Sequence, residues 1–211
     1  MWIIKIGGSL LGAPELQYWL DLIVKLSNGQ VIIVPGGGLF ANAVREAQQL
    51  SNSNDAVAHQ LALLAMDQFG ILLAGMHADL VTASSELEIA ERGWQHQGIV
   101  WLPSKMVLAD QTIPQNWQVT SDSLSAWLAN KLGAEQLILL KSKSLINDQK
   151  DQSILAQCLV EEDLIDPNFV HYIAGNNYQT WLLNKADYSI FEQGFNVKSL
   201  QEKGLRINTD G

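Results

Sequence analysis

A chain of 211 residues, 47% hydrophobic and 17% charged, carries enough apolar surface for one packed α/β domain, expected to span residues 1–211. Its formal net charge of −9 excludes a broad nucleic-acid surface, which needs clustered Lys and Arg, while leaving room for a local cationic pocket. A single cysteine, Cys158, excludes an internal disulfide and reads as a small buried apolar residue. The four histidines lack metal-ligand spacing, so no protein-built metal site is expected; with neither a cationic leader nor an eighteen-residue apolar stretch, the expected setting is cytoplasmic, with no membrane partner.

Trp2-Ile3-Ile4-Lys5-Ile6 reads as a strand running into a glycine turn, Gly7-Gly8-Ser9. Pro14 and Glu15 suit the opening of a helix whose apolar positions, Leu16, Leu20, Ile23, Val24 and Leu26, recur at helical spacing until Ser27-Asn28-Gly29 ends it. Val31-Ile32-Ile33-Val34 is a second strand, and Pro35 leads into the triplet Gly36-Gly37-Gly38. A second helix follows through Leu39, Ala43, Val44, Ala47 and Leu50, stopped by Ser51-Asn52-Ser53-Asn54. A third is expected from Asp55 to Phe69, capped by Asn54 or Asp55. The short apolar runs 71–73, 99–102 and 137–140 read as strands, and Glu86, Glu88 and Glu91 as a solvated helix face. Thr120-Ser121-Asp122-Ser123 precedes a helix that carries Leu124, Trp127, Leu128 and Leu132 and ends at Gly133. Alternating strand and helix predict an α/β fold, a three-layer αβα sandwich around a mainly parallel sheet, with ligands gathered beyond the carboxyl ends of the strands.

Both glycine turns stand at such ends. Bare backbone N–H groups and the positive end of a helix attract anions there, and left-handed dihedrals cost glycine little. Lys5 adds a point charge beside oxygens held at the first turn, so phosphate chemistry is the natural reading. Gly7 to Gly12 has the outer spacing of a Walker A loop, but Ala13 and Pro14 stand where its lysine and hydroxyl belong. Gly36-Gly37-Gly38-Leu39-Phe40-Ala41 satisfies the dinucleotide pattern G-x-G-x-x-A, yet Asp55, the acid at the corresponding distance, sits at a helix start instead of a strand end.

Lys5-Ile6-Gly7-Gly8-Ser9, Val34-Pro35-Gly36-Gly37-Gly38 and Ser121-Asp122-Ser123 together resemble the amino acid kinase superfamily, which includes acetylglutamate kinase, aspartokinase and bacterial uridylate kinase. The resemblance covers roughly the first 150 residues. Phe40-Ala41-Asn42-Ala43-Val44-Arg45, Asp55-Ala56-Val57-Ala58-His59 and Met66-Asp67-Gln68 narrow it to the small kinases of methanofuran biosynthesis, which phosphorylate an aminomethylfuran methyl phosphate.

What this resemblance implies is ATP-dependent phosphoryl transfer, with Mg2+, to a small anionic metabolite. Lys5 would touch the transferring phosphoryl group; Gly7 and Gly8, with Ser9 and Ser121, would bind the nucleotide phosphates. Gly36, Gly37 and Gly38 would hold the acceptor, with Arg45 and His59 against its anion. Asp122 would orient cationic side chains and meet magnesium. Family members follow the strand equivalent to 137–140 with a hydroxyl residue and an acidic, glycine-containing turn, and larger relatives take a second active-site lysine from a later glycine-rich segment. Here the chain reads Lys141-Ser142-Lys143-Ser144-Leu145-Ile146-Asn147-Asp148, so the second lysine has to be Lys141 or Lys143. Lys141 is the first choice, with Lys143 at the nucleotide.

Charge neutralisation supplies most of the catalysis in phosphoryl transfer, and an acceptor that is already a phosphate or carboxylate needs no general base. A phosphate monoester such as aminomethylfuran methyl phosphate is the expected acceptor. A kinase of an amino-acid carboxylate or carbamate, and a non-catalytic nucleotide- or oxyanion-binding relative, are the alternatives. A homo-oligomer is expected, the seven tryptophans serving an interface or a core. Plainer readings of the same residues are a solvated edge lysine for Lys5, a helix cap for Asp122, a solvated strand end for Lys141 and Lys143, and surface positions for Arg45 and His59.

Overall fold

The computed structural model describes residues 1–143 and 153–209, so the run Ser144 to Asp148 lies outside the described residues. Eight strands form one sheet: β1 (Trp2–Ile6), β2 (Val31–Pro35), β3 (Leu80–Ala83), β4 (Gly98–Trp101), β5 (Gln136–Lys141), β6 (Ser153–Leu155), β7 (Gln179–Asn184) and β8 (Leu205–Asn208), in the order β3-β4-β2-β1-β5-β7-β8-β6. All neighbours run parallel except β7 and β8. The central strand β1 is buried along its whole length, which is why it reads as an apolar run without alternation. Its register sets the site: Lys5 stands beside Val34 of β2 and Leu139 of β5, and Ile6 beside Pro35 and Leu140.

Helices cover both faces: α1 (Pro14–Leu26), α2 (Gly38–Ser51), α3 (Asp55–Gly75), α4 (Glu86–Trp94), α5 (Ser104–Ala109), α6 (Ser121–Leu132), α7 (Ala156–Glu161), α8 (Phe169–Ile173) and α9 (Val197–Lys203). Because strand side chains alternate, Ile3, Val34, Leu137 and Leu139 join one core with α4 to α8, while Ile4, Ile6, Ile33 and Leu140 join a second with α1 and α9. The expected three-layer sandwich is thereby present.

One helix belongs to both layers. Leu63 and Met66 of α3 lie in the first core, and Phe69 and Leu73 in the second. It passes over the carboxyl ends of β2 and β4, where a Cβ on Gly70 would come within 2.8 Å of Leu102 and 3.3 Å of Pro35. The expected strand at 71–73 is therefore the continuation of α3 to Gly75, and the fourth parallel strand of this half is β3. That continuation makes Asp55–Gly75 long and apolar enough to cross a membrane by length and composition, although 44% of its most apolar window is buried in the fold. Cys158, expected to be buried, is half-exposed on α7.

Candidate active site

The two glycine turns meet backbone to backbone. The Gly36 N–H donates to the Ile6 carbonyl at 2.8 Å, carrying the β1–β2 ladder past the strand ends. A Cβ on Gly8 would lie 2.0 Å from Gly38 Cα, and one on Gly36 would lie 2.8 Å from Gly8 N. Side chains at Gly8 and Gly36 are thus excluded first by the opposite turn, a constraint distinct from room for a ligand. Gly7 differs: its missing Cβ would have ordinary contacts, 3.6 Å from Lys5 Nζ. The Lys5 amine accordingly lies beside the first turn.

Lys5 and Asp122 share one buried cluster. Lys5 Nζ is 2.8 Å from Asp122 Oδ1, and Lys141 Nζ is 2.9 Å from Oδ2 and 3.1 Å from Oδ1. Strand parity explains the meeting: Lys141 projects on the same face as Leu139, and Leu139 is the register partner of Lys5. Helix α6 covers that face and presents Asp122 in its first turn. Burial alone would push the Asp122 carboxyl up, but the Lys141 and Lys5 charges and hydrogen bonds outweigh it and hold the group at about 2. Burial also lowers Lys141, assisted by Lys5 and opposed by Asp122. Asp122 is not the helix cap: the N-cap position is Thr120, and the first-turn donors go to Asp166.

Beside the cluster a cavity of about 500 Å³ opens between the second glycine turn, α2, α3 and the loop before α6. Gly8, Gly37, His59, Met66, Trp117 and Ser121 are among its lining residues. His59 is buried, and burial pushes its imidazole below the ordinary value against a hydrogen bond with the Asn116 backbone. Arg45 stands at the exposed rim with its guanidinium 4.4 Å from the centre of the Trp117 ring, and Trp117 Nε1 donates to Gln48 Oε1 at 2.7 Å. Helix α2 begins at this cavity, since Gly38 opens the helix and lines the space, and the first N–H groups of a helix have no partner within it.

Lys5, Asp122, Lys141, Gly7 and Gly8 therefore come together, and Gly36, Gly37, Gly38, Arg45, His59 and Ser121 surround the adjoining cavity. Ser9 stands between the two groups, its hydroxyl 2.9 Å from that of Ser142. Lys143 is exposed, with its carbonyl accepting Asn184 Nδ2 at 3.3 Å, and no salt bridge joins it to the cluster. Asp55 sits in the first turn of α3 and accepts Gln48 Nε2 at 2.9 Å, which removes the dinucleotide reading. Sequence reasoning missed Trp117, Asn116 and Asp166. A tryptophan isolated in the polar stretch before Thr120 was the available signal for the first.

Comparison with known proteins places the chain among the phosphotransferases. The model described as the amino acid kinase family matches residues 1–154, and the chain belongs to that family as one of its kinases. A [5-(aminomethyl)furan-3-yl]methyl phosphate kinase from Methanocaldococcus jannaschii is 34% identical over 151 residues, 71% of this chain and 69% of that relative. Among solved structures, uridylate kinase from Archaeoglobus fulgidus superposes with a TM-score of 0.68 at 17% identity, covering 98% of this chain and 99% of its own. The UMP kinase of Bacillus anthracis gives a TM-score of 0.67 at 15% identity, covering 100% and 96%.

Proposed function

We propose that this kinase transfers the γ-phosphoryl group of ATP to a small phosphate monoester, with [5-(aminomethyl)furan-3-yl]methyl phosphate as the first candidate. The observation that carries the reading is the pair of ammonium groups, Lys5 and Lys141, held by the one carboxylate of Asp122 at the junction of both glycine turns. The substrate rests on the 34% identical relative.

The residues present fit a polyphosphate: a buried ammonium, Lys5, and a half-buried one, Lys141, meet at one carboxylate, and Lys5 stands beside a glycine turn where Gly7 carries no side chain. Among the described residues no group of three or more His, Cys, Asp or Glu side chains is placed to hold a metal ion, and both Asp122 oxygens are engaged by lysines. Magnesium would be held by the ATP phosphates and water and would neutralise charge on those phosphates. In the reaction an acceptor phosphate oxygen bonds to the γ-phosphorus, the bond from that phosphorus to the bridging oxygen of ADP breaks, and a diphosphate monoester and ADP leave. Lys5 and Lys141 neutralise charge on the equatorial and bridging oxygens, and Asp122 holds both amines in place. No proton must be removed from an ionised acceptor, so His59, which lines the cavity, need not act as a base.

His59, Arg45 and the N–H groups at the start of α2 hold the acceptor anion, while Met66, Leu63 and Leu124 pack its body. Residues 1–211 act as one domain, in the cytoplasm, with α3 occupied by the sandwich instead of a bilayer. The exposed α3 residues Val57, Leu61, Leu64, Ile71 and Leu72 support pairing with a second copy. Purified protein supplied with ATP, Mg2+ and the furan phosphate is expected to form a diphosphate detectable by phosphorus NMR. Turnover of an acidic amino acid with none of the furan phosphate contradicts the assignment.

A further inference from the structure

Asp166 lies beyond the residues the family model matches, on the turn between α7 and α8, and it is buried against the start of α6. Its Oδ2 accepts the Thr120 N–H at 3.0 Å, the Thr120 hydroxyl at 2.8 Å and the Ser123 N–H at 3.0 Å, while Oδ1 accepts the Ser123 hydroxyl. These donors bracket Asp122. The Thr120 side chain makes no cap of its own, so the first turn of α6 is fixed by a carboxylate that arrives more than forty residues later in the chain, at separations of 43 and 46.

A neutral Asn or Ser caps a helix about as well as Asp does, so capping alone does not require a buried charge here. That charge is costly: burial and the Asp122 carboxylate both push the Asp166 carboxyl up, and the Ser123 and Thr120 hydrogen bonds hold it down. Asp166 in turn favours the charged form of Lys141, the least of the influences on that amine, while burial and Lys5 press the other way. We propose that Asp166 is a positioning residue for the phosphoryl-transfer centre, fixing the first turn of α6 so that Asp122 meets both lysines. This rests on the lysine roles proposed above. The groups around Lys141 are Asp122 from α6, Lys5 from β1 and Asp166; those around Asp166 are Asp122, Lys141 and Tyr172 of α8.

The test is Asp166→Asn, which removes the charge and keeps a carbonyl acceptor. Expected results are a kcat lowered about tenfold or more with both KM values within about threefold, and an alkaline limb of the kcat–pH profile moved to lower pH. The sign follows from losing a carboxylate that favours the ammonium. Lysine 13Cε NMR, with the Lys141 signal assigned through Lys141→Arg, reads the same titration without any acceptor, and its midpoint is expected to fall with the limb. A folded Asp166→Asn protein with kcat or the Lys141 midpoint unchanged overturns the proposal. Should that variant not fold, the double variant Thr120→Val, Ser123→Ala decides: it loosens the first turn of α6 and keeps the charge, and a kcat drop of about fivefold or more supports the role, whereas parental kcat overturns it. If the parent protein phosphorylates no acceptor, the lysine roles fail at that step, and the NMR midpoint alone judges Asp166.

Discussion

Replacing Lys141 with Met keeps a buried unbranched stem and removes the ammonium. At the 2.9 Å separation of Lys141 and Asp122, the gross attraction is about 6 kcal/mol for an effective dielectric of 20. Desolvation of the amine and repulsion from Lys5 offset most of it, and Lys5 stays at 2.8 Å, so Asp122 is not stranded. The net stability loss is expected to be about 1–2 kcal/mol at neutral pH. Catalysis loses more, because charge at the transferring group is neutralised by one ammonium instead of two: kcat should fall about 10²–10³-fold, or about 3–4 kcal/mol. The acid side carries a second signature. Asp122, at about 2 against 3.8 unfolded, contributes about 2 kcal/mol that is present above the unfolded value and lost as pH falls through the folded one. In the variant its carboxyl rises, so acid unfolding begins at higher pH. Coupled assay of ADP release with urea unfolding at neutral and acid pH measures both quantities. A kcat within about fivefold of the parent would refute the placement of Lys141 at the transferring group.

His59→Ala should raise the acceptor KM about tenfold or more and leave the ATP KM unchanged, the loss expected for a hydrogen bond to a charged group; equal effects on both would move His59 out of the acceptor site. Gly8→Ala and Gly7→Ala should separate folding from binding. The first drives a Cβ to 2.0 Å from Gly38 Cα and should cost about 2–3 kcal/mol or more in unfolding experiments. The second has no contact closer than 3.5 Å and should stay folded with a raised ATP KM. Light scattering should find at least twice the 23.3 kDa chain mass, and Leu64→Glu on the exposed face of α3 should halve it; an unchanged parental monomer would remove the pairing.

Much of the fold was legible because burial on both sheet faces forces apolar runs, unbroken at 31–34 and 137–140 and interrupted at 2–6 by Lys5 alone. The same rule misled at 71–73, where Ile71 and Leu72 are exposed on α3: a helix crossing between layers is apolar nearly all round, and its last turn imitates a strand. Lys5 and the glycine turns were readable from strand-turn-helix grammar. Their reason was only half readable, since nothing local reveals that Gly8 must clear Gly38 from a turn thirty residues away. The family resemblance implied a second lysine at Lys141 or Lys143, and the β1–β5 register brings Lys141 to the face that Lys5 occupies. Asp166 had no local signal, because a cap delivered by a distant loop leaves no spacing to read.

A structure with Mg2+, ADP, aluminium fluoride and the furan phosphate bound tests the site most directly. Both Lys5 Nζ and Lys141 Nζ are expected within hydrogen-bond distance, about 3 Å, of the fluorides that stand for the transferring phosphoryl oxygens, with the acceptor phosphate beside His59. Fluorides lying beyond reach of either amine, or an acceptor seated away from the cavity of Gly37 and Trp117, would contradict the shared role of the two lysines.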